Sequence, residues 1–225
     1  MGHFIDLTAS DGFTFAAYHV EPTGKRRGGL IVVQEIFGVN ADIRATAEDF
    51  AALGYEVLAP SMYDRVKKGL QIDSHSPEAL AEAVPIAQAN GLEKPVIDLQ
   101  ACVDYLNSRG PVFVTGFCYG GSASWIAATQ VEGVAAASCY YGSLLPNLAH
   151  LKPKCPVIAH FGATDPFIPM ENVERFRSEQ PNVPVHLYDA GHGFFTRGGM
   201  AHDEAAMKLS LERTLALFDG AAAAA

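Results

Sequence analysis

Val112-Phe113-Val114-Thr115-Gly116-Phe117-Cys118-Tyr119-Gly120-Gly121-Ser122 is the stretch on which the reading of this chain turns. Its first four residues form an apolar run of β-formers, the pattern of a strand buried on both faces, and an apolar helix is expected from about Ser122. Between them, Gly116-Phe117-Cys118-Tyr119-Gly120 has the form of a nucleophile elbow with cysteine where serine is usual. A sharp strand-to-helix turn strains the residue at its apex, and glycines two positions away on either side let the chain pass without a clash. The turn also sets Cys118 at a helix N-terminus, where the positive end of the dipole favours a thiolate. A chance turn around a buried, inert thiol would leave the same string, so residues elsewhere have to decide.

Working outward, further strand signals fall at 13–20, 30–34, 55–59, 134–139, 157–161 and 185–188. Helical spacing places Ile43, Ala47, Phe50 and Leu53 on one face before Gly54, and Val96, Leu99, Val103 and Leu106 on another before Gly110-Pro111. Ser76-Pro77-Glu78 is a helix start, and Pro85 is expected to end or kink that helix. A last helix over 202–218 aligns Met207, Leu211, Leu215 and Phe218. Residues 25–27 read as a solvated basic turn and 221–225 as a frayed alanine tail. Strands separated by helices imply a mostly parallel central sheet with helices on both faces, with function at the carboxyl ends of the strands.

With 49% of 225 residues apolar and 18% charged, the chain can bury one substantial core, and a single domain over 1–225 is expected. A net charge of −9 argues against nucleic acid or an anionic membrane as partner, since both need clustered Lys and Arg. No segment approaches the roughly 20 apolar residues of a membrane span. Residues 1–8 carry no basic region leading into an apolar stretch, so a soluble, cytoplasmic protein is expected. Cys102, Cys118, Cys139 and Cys155 are then reduced thiols, and their spacing matches no zinc motif. His3, His19, His75, His150, His160, His186 and His202 read as structural or solvated, and no metal is expected.

Two residues raise Cys118 above a chance turn. Asp165, in Gly162-Ala163-Thr164-Asp165-Pro166, follows the strand signal at 157–161, and His192, in Gly191-His192-Gly193, follows the one at 185–188. Each sits at a strand's carboxyl end, and the chain order nucleophile, acid, histidine is the one used on α/β-hydrolase sheets. Asp165 would hold the imidazole tautomer while His192 moves protons between thiol, leaving group and water. Asp189 is a rival acid, disfavoured because three residues along one strand end make the Nδ1 geometry less natural.

Gln34-Glu35-Ile36-Phe37-Gly38-Val39-Asn40, the elbow around Cys118 and Gly191-His192-Gly193-Phe194 together resemble the dienelactone hydrolase family, and the resemblance covers nearly the whole chain. It implies an α/β-hydrolase fold, a triad of Cys118, Asp165 and His192, and hydrolysis of dienelactone to maleylacetate in the degradation of chloroaromatic compounds, with no cofactor or metal. It also implies that Glu35 contacts the thiol. A carboxylate beside a thiol opposes the thiolate, and a shared proton could hold the thiol poised until substrate arrives, so Glu35 is expected to gate Cys118.

The amides of Tyr119 and Ile36 are the expected oxyanion donors. The family enzyme acting on dienelactone holds the substrate carboxylate with arginines, one in mid-chain and one shortly after the histidine. Arg197 is the candidate here, at a slightly longer interval, while 76–90 contains no basic residue. Arg65, Lys67 and Lys68 are the possible substitutes, unless the contact is absent. The expected reaction is thiol attack on a small-molecule lactone or activated ester. A broader carboxylesterase or thioesterase, and a small-molecule binding protein with an idle triad, are the rivals. No oligomeric partner is assigned, and a monomer is consistent with the sequence.

Overall fold

The computed structural model describes residues 1–199 and 201–224. Its centre is an eight-stranded sheet: β1 (His3–Thr8), β2 (Thr14–Val20), β3 (Gly28–Val33), β4 (Tyr55–Pro60), β5 (Val112–Phe117), β6 (Val134–Tyr140), β7 (Val157–Gly162) and β8 (Val185–Tyr188). The spatial order is β1-β2-β4-β3-β5-β6-β7-β8. The hairpin β1–β2 is antiparallel and β2 joins β4 antiparallel, whereas every pairing from β4 to β8 is parallel. Every residue of β3, β4, β5 and β7 is buried, which explains their unalternating apolar runs.

Parallel neighbours need crossovers, supplied by α1 (Ala41–Ala52), α2 (Pro77–Asn90), α3 (Pro95–Leu106), α4 (Tyr119–Gln130) and α5 (Met170–Glu179), with α6 (Glu204–Ala224) closing the chain. One side is covered by α1 and α6, which line a common cleft. On the other, α3 packs on α4 and Trp125 of α4 meets Phe176 of α5 edge to face. This is the α/β-hydrolase architecture. α2 lies apart from these layers; it buries only Ala79, Ala83 and Asn90, and its inner face forms a wall above the carboxyl ends of the strands.

Four local expectations are corrected. Pro85 does not end α2, which continues to Asn90. It is exposed, as is Ala81 one turn earlier, so water can take the carbonyl that a proline cannot serve. Alanines 221–224 are the last turn of α6, in keeping with alanine's high helix propensity; Ala225 lies outside the described residues. Arg26 does not sit in a solvated turn, since its guanidinium donates to Glu56, Arg109 O and Leu106 O. β1 and α5 are additional elements. β1 is an exposed edge strand held by its hairpin, and α5 buries only Val173 and Phe176, so neither has a strong apolar signature.

Candidate active site

β5 runs directly into α4 through Cys118, whose backbone lies at φ 55°, ψ −113°. A non-glycine residue there is strained, and the neighbouring glycines explain how the strain is held. A Cβ on Gly116 would stand 2.2 Å from Gly120 O, one on Gly120 2.2 Å from Val33 O, and one on Gly121 2.1 Å from Tyr140 O. No other residue fits at those three positions without moving backbone. The Cys118 amide donates to Tyr140 O at 3.1 Å, and the residue is partly exposed. Cys102, Cys139 and Cys155 differ: burial pushes all three thiols up, that of Cys155 to about 11.

The loop after β7 carries Asp165 and the loop after β8 carries His192. Asp165 accepts from the Phe167 amide at 2.8 Å through Oδ1 and faces His192 Nδ1 at 2.7 Å through Oδ2. Its side chain is fully buried, while that of His192 keeps 16% exposure. A carboxylate on Nδ1 fixes the proton on that nitrogen and leaves Nε2 for the substrate side. Burial disfavours the imidazolium, but the adjacent Cys118 sulfur and the Asp165 carboxylate outweigh it and raise the His192 pKa to about 10. Tyr141 and Phe167 flank the ring at 5.0 and 5.1 Å between centroids. Asp189 is exposed, and the acid bonded to His192 is Asp165.

Glu35 is buried rather than solvent-facing. Its hydrogen bond goes to Thr196, whose Oγ1 donates to Oε1 at 3.1 Å, and not to Cys118, although both residues line one cavity. Thr196 has a single proton, so the Tyr141 hydroxyl 3.3 Å away donates to it, giving a chain Tyr141–Thr196–Glu35. His75 Nε2 lies 3.7 Å from Glu35 and 3.8 Å from Asp42, and interaction with Glu35, opposed by burial, raises its pKa. His75 is therefore part of the cavity wall, not one of the merely structural or solvated histidines. Neither it nor Thr196 belongs to a motif visible in the sequence.

The Ile36 and Tyr119 amides donate to no protein acceptor among the described residues, and both residues line the cavity beside Cys118. Tyr119 is the first residue of α4, so its N–H is one of the helix's unused donors.

Arg197 is not where a substrate contact requires it. Its guanidinium pairs with Asp49 at 2.8 Å in the cleft between α1 and α6, away from the Cys118 cavity. Arg65 is engaged by Asp98 and Asp11 and Lys67 by Glu82. The grouping of possible metal ligands found among the described residues, His19, Glu21 and Glu56, lies at the amino ends of the strands. There Arg26 and Arg109 already neutralise Glu56.

A strained cysteine between a buried strand and a helix, facing a histidine that an aspartate holds by Nδ1, is the arrangement of an α/β hydrolase. A sequence model described as the Dienelactone hydrolase family matches residues 15–222. The chain belongs to that family of hydrolases. Among similar proteins, a carboxymethylenebutenolidase of Pseudomonas putida is 32% identical, over 94% of this chain and 93% of its own. Carboxymethylenebutenolidase 1 of Cupriavidus pinatubonensis is 28% identical, over 95% and 94%. A solved Klebsiella pneumoniae structure, provisionally classed as a dienelactone hydrolase, superposes with a TM-score of 0.81 at 27% identity, covering 97% of this chain and 98% of its own. No helix among the described residues is long and apolar enough to cross a membrane.

Proposed function

We propose that residues 1–225 act as one domain that hydrolyses small-molecule lactones or esters through a Cys118–His192–Asp165 triad. The observation that carries this reading is the 2.7 Å contact between Asp165 and His192 Nδ1, which orients Nε2 towards a cysteine on a strained elbow. Cys118 Sγ attacks the carbonyl carbon, and the amides of Tyr119 and Ile36 receive the oxyanion. Collapse of the tetrahedral species expels the alkoxide or enolate, which takes the proton held by His192. The imidazole then takes a proton from water, hydroxide attacks the thioester, and the acid leaves as Cys118 is restored. With dienelactone as substrate the product is maleylacetate.

Glu35 acts through its position in the same wall. Bonded to Thr196 and facing His75, it lines the same cavity as Cys118, and we assign it the gating role. The test is steady-state hydrolysis of cis- and trans-dienelactone beside a neutral aryl ester, with wild type, Cys118→Ser and His192→Ala. Turnover that both substitutions abolish supports the triad. Turnover indifferent to Cys118, or none with any ester or lactone, removes it and leaves the binding-protein reading. Hydrolysis of the aryl ester alone marks a broader carboxylesterase or thioesterase, a reading favoured by the absence of any lysine or arginine from the described cavity lining.

A further inference from the structure

The space above Cys118 has two lobes of about 290 and 500 Å³. They meet at Ile36, Val84, Cys118 and Ser143, which line both. The smaller lobe contains His192, and the group that hands a proton to the departing oxygen must lie on the leaving-group side, so this lobe takes the alcohol or enol portion. The larger lobe, walled by Ala87, Leu92, Tyr119 and Leu144, is left for the acyl chain.

Neither lobe has a lysine or arginine in its described lining. The smaller lobe holds the Glu35 carboxylate, and His75, the nearest base to it, already faces both Glu35 and Asp42. The larger lobe offers Gln88 and Ser143 as side-chain polar groups and no charged residue among the described lining. Arg65, Lys67 and Arg197 are committed to carboxylates elsewhere, and Lys68 is exposed and lines neither lobe. An anionic substituent in the larger lobe would lose hydration without gaining a charged partner, and in the smaller lobe the two histidines are already engaged, His192 by Asp165 and His75 facing Glu35 and Asp42. Three large apolar side chains that line these lobes are also exposed, Leu80 (36%), Leu144 (42%) and Phe167 (61%). Exposed large apolar residues gathered around a cavity mark a binding surface.

From this we infer that the enzyme's substrates are neutral esters or lactones with apolar groups on both sides of the scissile bond, and that it discriminates against substrates bearing a free carboxylate. The inference rests on Cys118 being the nucleophile. Leu80, Leu144 and Phe167 are the specificity-determining rim.

The test compares 4-nitrophenyl esters of matched chain length, one acyl chain ending in a methyl group and the other in a carboxylate, each rate normalised to reaction of that ester with a free thiol. The neutral ester is expected to have a kcat/KM at least about tenfold higher. Leu144→Arg, which places a guanidinium at the acyl lobe, is expected to narrow that ratio at least about fivefold by improving the carboxylate ester. Equal or inverted preference in wild type overturns the inference, whatever the variant does. If neither ester is turned over, the triad reading fails separately. Substrate preference is then read from protection of Cys118 against iodoacetamide by 2-heptanone and by a keto acid of equal length. Protection by the neutral ketone at lower concentration upholds the inference, and equal or better protection by the keto acid overturns it.

Discussion

Two buried glutamates at opposite ends of the same sheet show how one residue type is put to different uses. Glu56 lies near the start of β4 with a side chain wholly shielded from solvent, and Arg26, Arg109 and His19 all reach it. Glu35 lies just past the end of β3, almost as deeply buried, yet its partners are the Thr196 hydroxyl and His75 at 3.7 Å. The first carboxylate is engaged by two guanidinium groups and holds Arg26 against Leu106 O at the end of α3 and Arg109 O in the turn beyond it. The second lines a cavity with no lysine or arginine in its described lining, an arrangement that favours response to an incoming group over rigidity. At the amino ends of the strands the fold is being closed, and at the carboxyl ends it is being left open.

That contrast can be broken most visibly at Cys118 and its partners. Cys118→Ala is expected to lower kcat/KM by about three orders of magnitude or more, with thermal unfolding little changed because alanine keeps the Cβ. Asp165→Asn should cost about as much by leaving His192 in the wrong tautomer; steady-state kinetics on one aryl ester checks both. Next in size is Glu56→Ala, expected to destabilise the protein by about 3 kcal/mol in urea titrations, since two arginines lose a buried partner. The folded fraction should retain its activity. Glu35→Gln is the counterpart, expected to shift stability by less than about 1 kcal/mol while changing the alkylation rate of Cys118 several-fold. A large stability loss in Glu35→Gln would erase the distinction between the two ends.

A smaller effect separates two histidines. Burial, with help from His186 and Arg213, holds His160 neutral, its pKa well below the usual histidine range. The unfolded chain takes up a proton there below about pH 6.5, so this group removes stability as pH falls through that value. His192 has the opposite sign. With its folded pKa raised to about 10, its contribution is fully present below about pH 6.5 and lost as pH rises towards 10. Urea midpoints measured from pH 5 to 10 should therefore fall on the acid side through His160 and on the alkaline side through His192. His160→Gln should flatten the acid limb and His192→Asn the alkaline one.

The parallel sheet was legible because its central strands are buried on both faces and advertise it as apolar runs. The elbow was legible because the steric demands at Gly116 and Gly120 leave only glycine there. Asp165 and His192 were found by position, each just beyond a strand end, and the structure brings them together. What escaped was set by loop geometry. Thr196 and Arg197 are adjacent in sequence, but the turn after His192 sends the hydroxyl inward to Glu35 and the guanidinium outward to Asp49. Proximity to a histidine along the chain does not say which way a side chain faces. His75 escaped for a related reason, since only the fold brings residue 75 beside residues 35 and 42. α5 contributes too few buried residues to stand out by periodicity.

The measurement closest to the centre of this account is the rate at which each of the four thiols reacts with iodoacetamide at pH 7.5, followed by peptide mass spectrometry in wild type and His192→Ala. Cys118 is expected to react about 100-fold faster than Cys102, Cys139 and Cys155, whose burial holds them as thiols, and to slow markedly when the imidazole is removed. A Cys118 that reacts no faster than the other three, or at the same rate without His192, would contradict the assignment of Cys118 as an activated nucleophile.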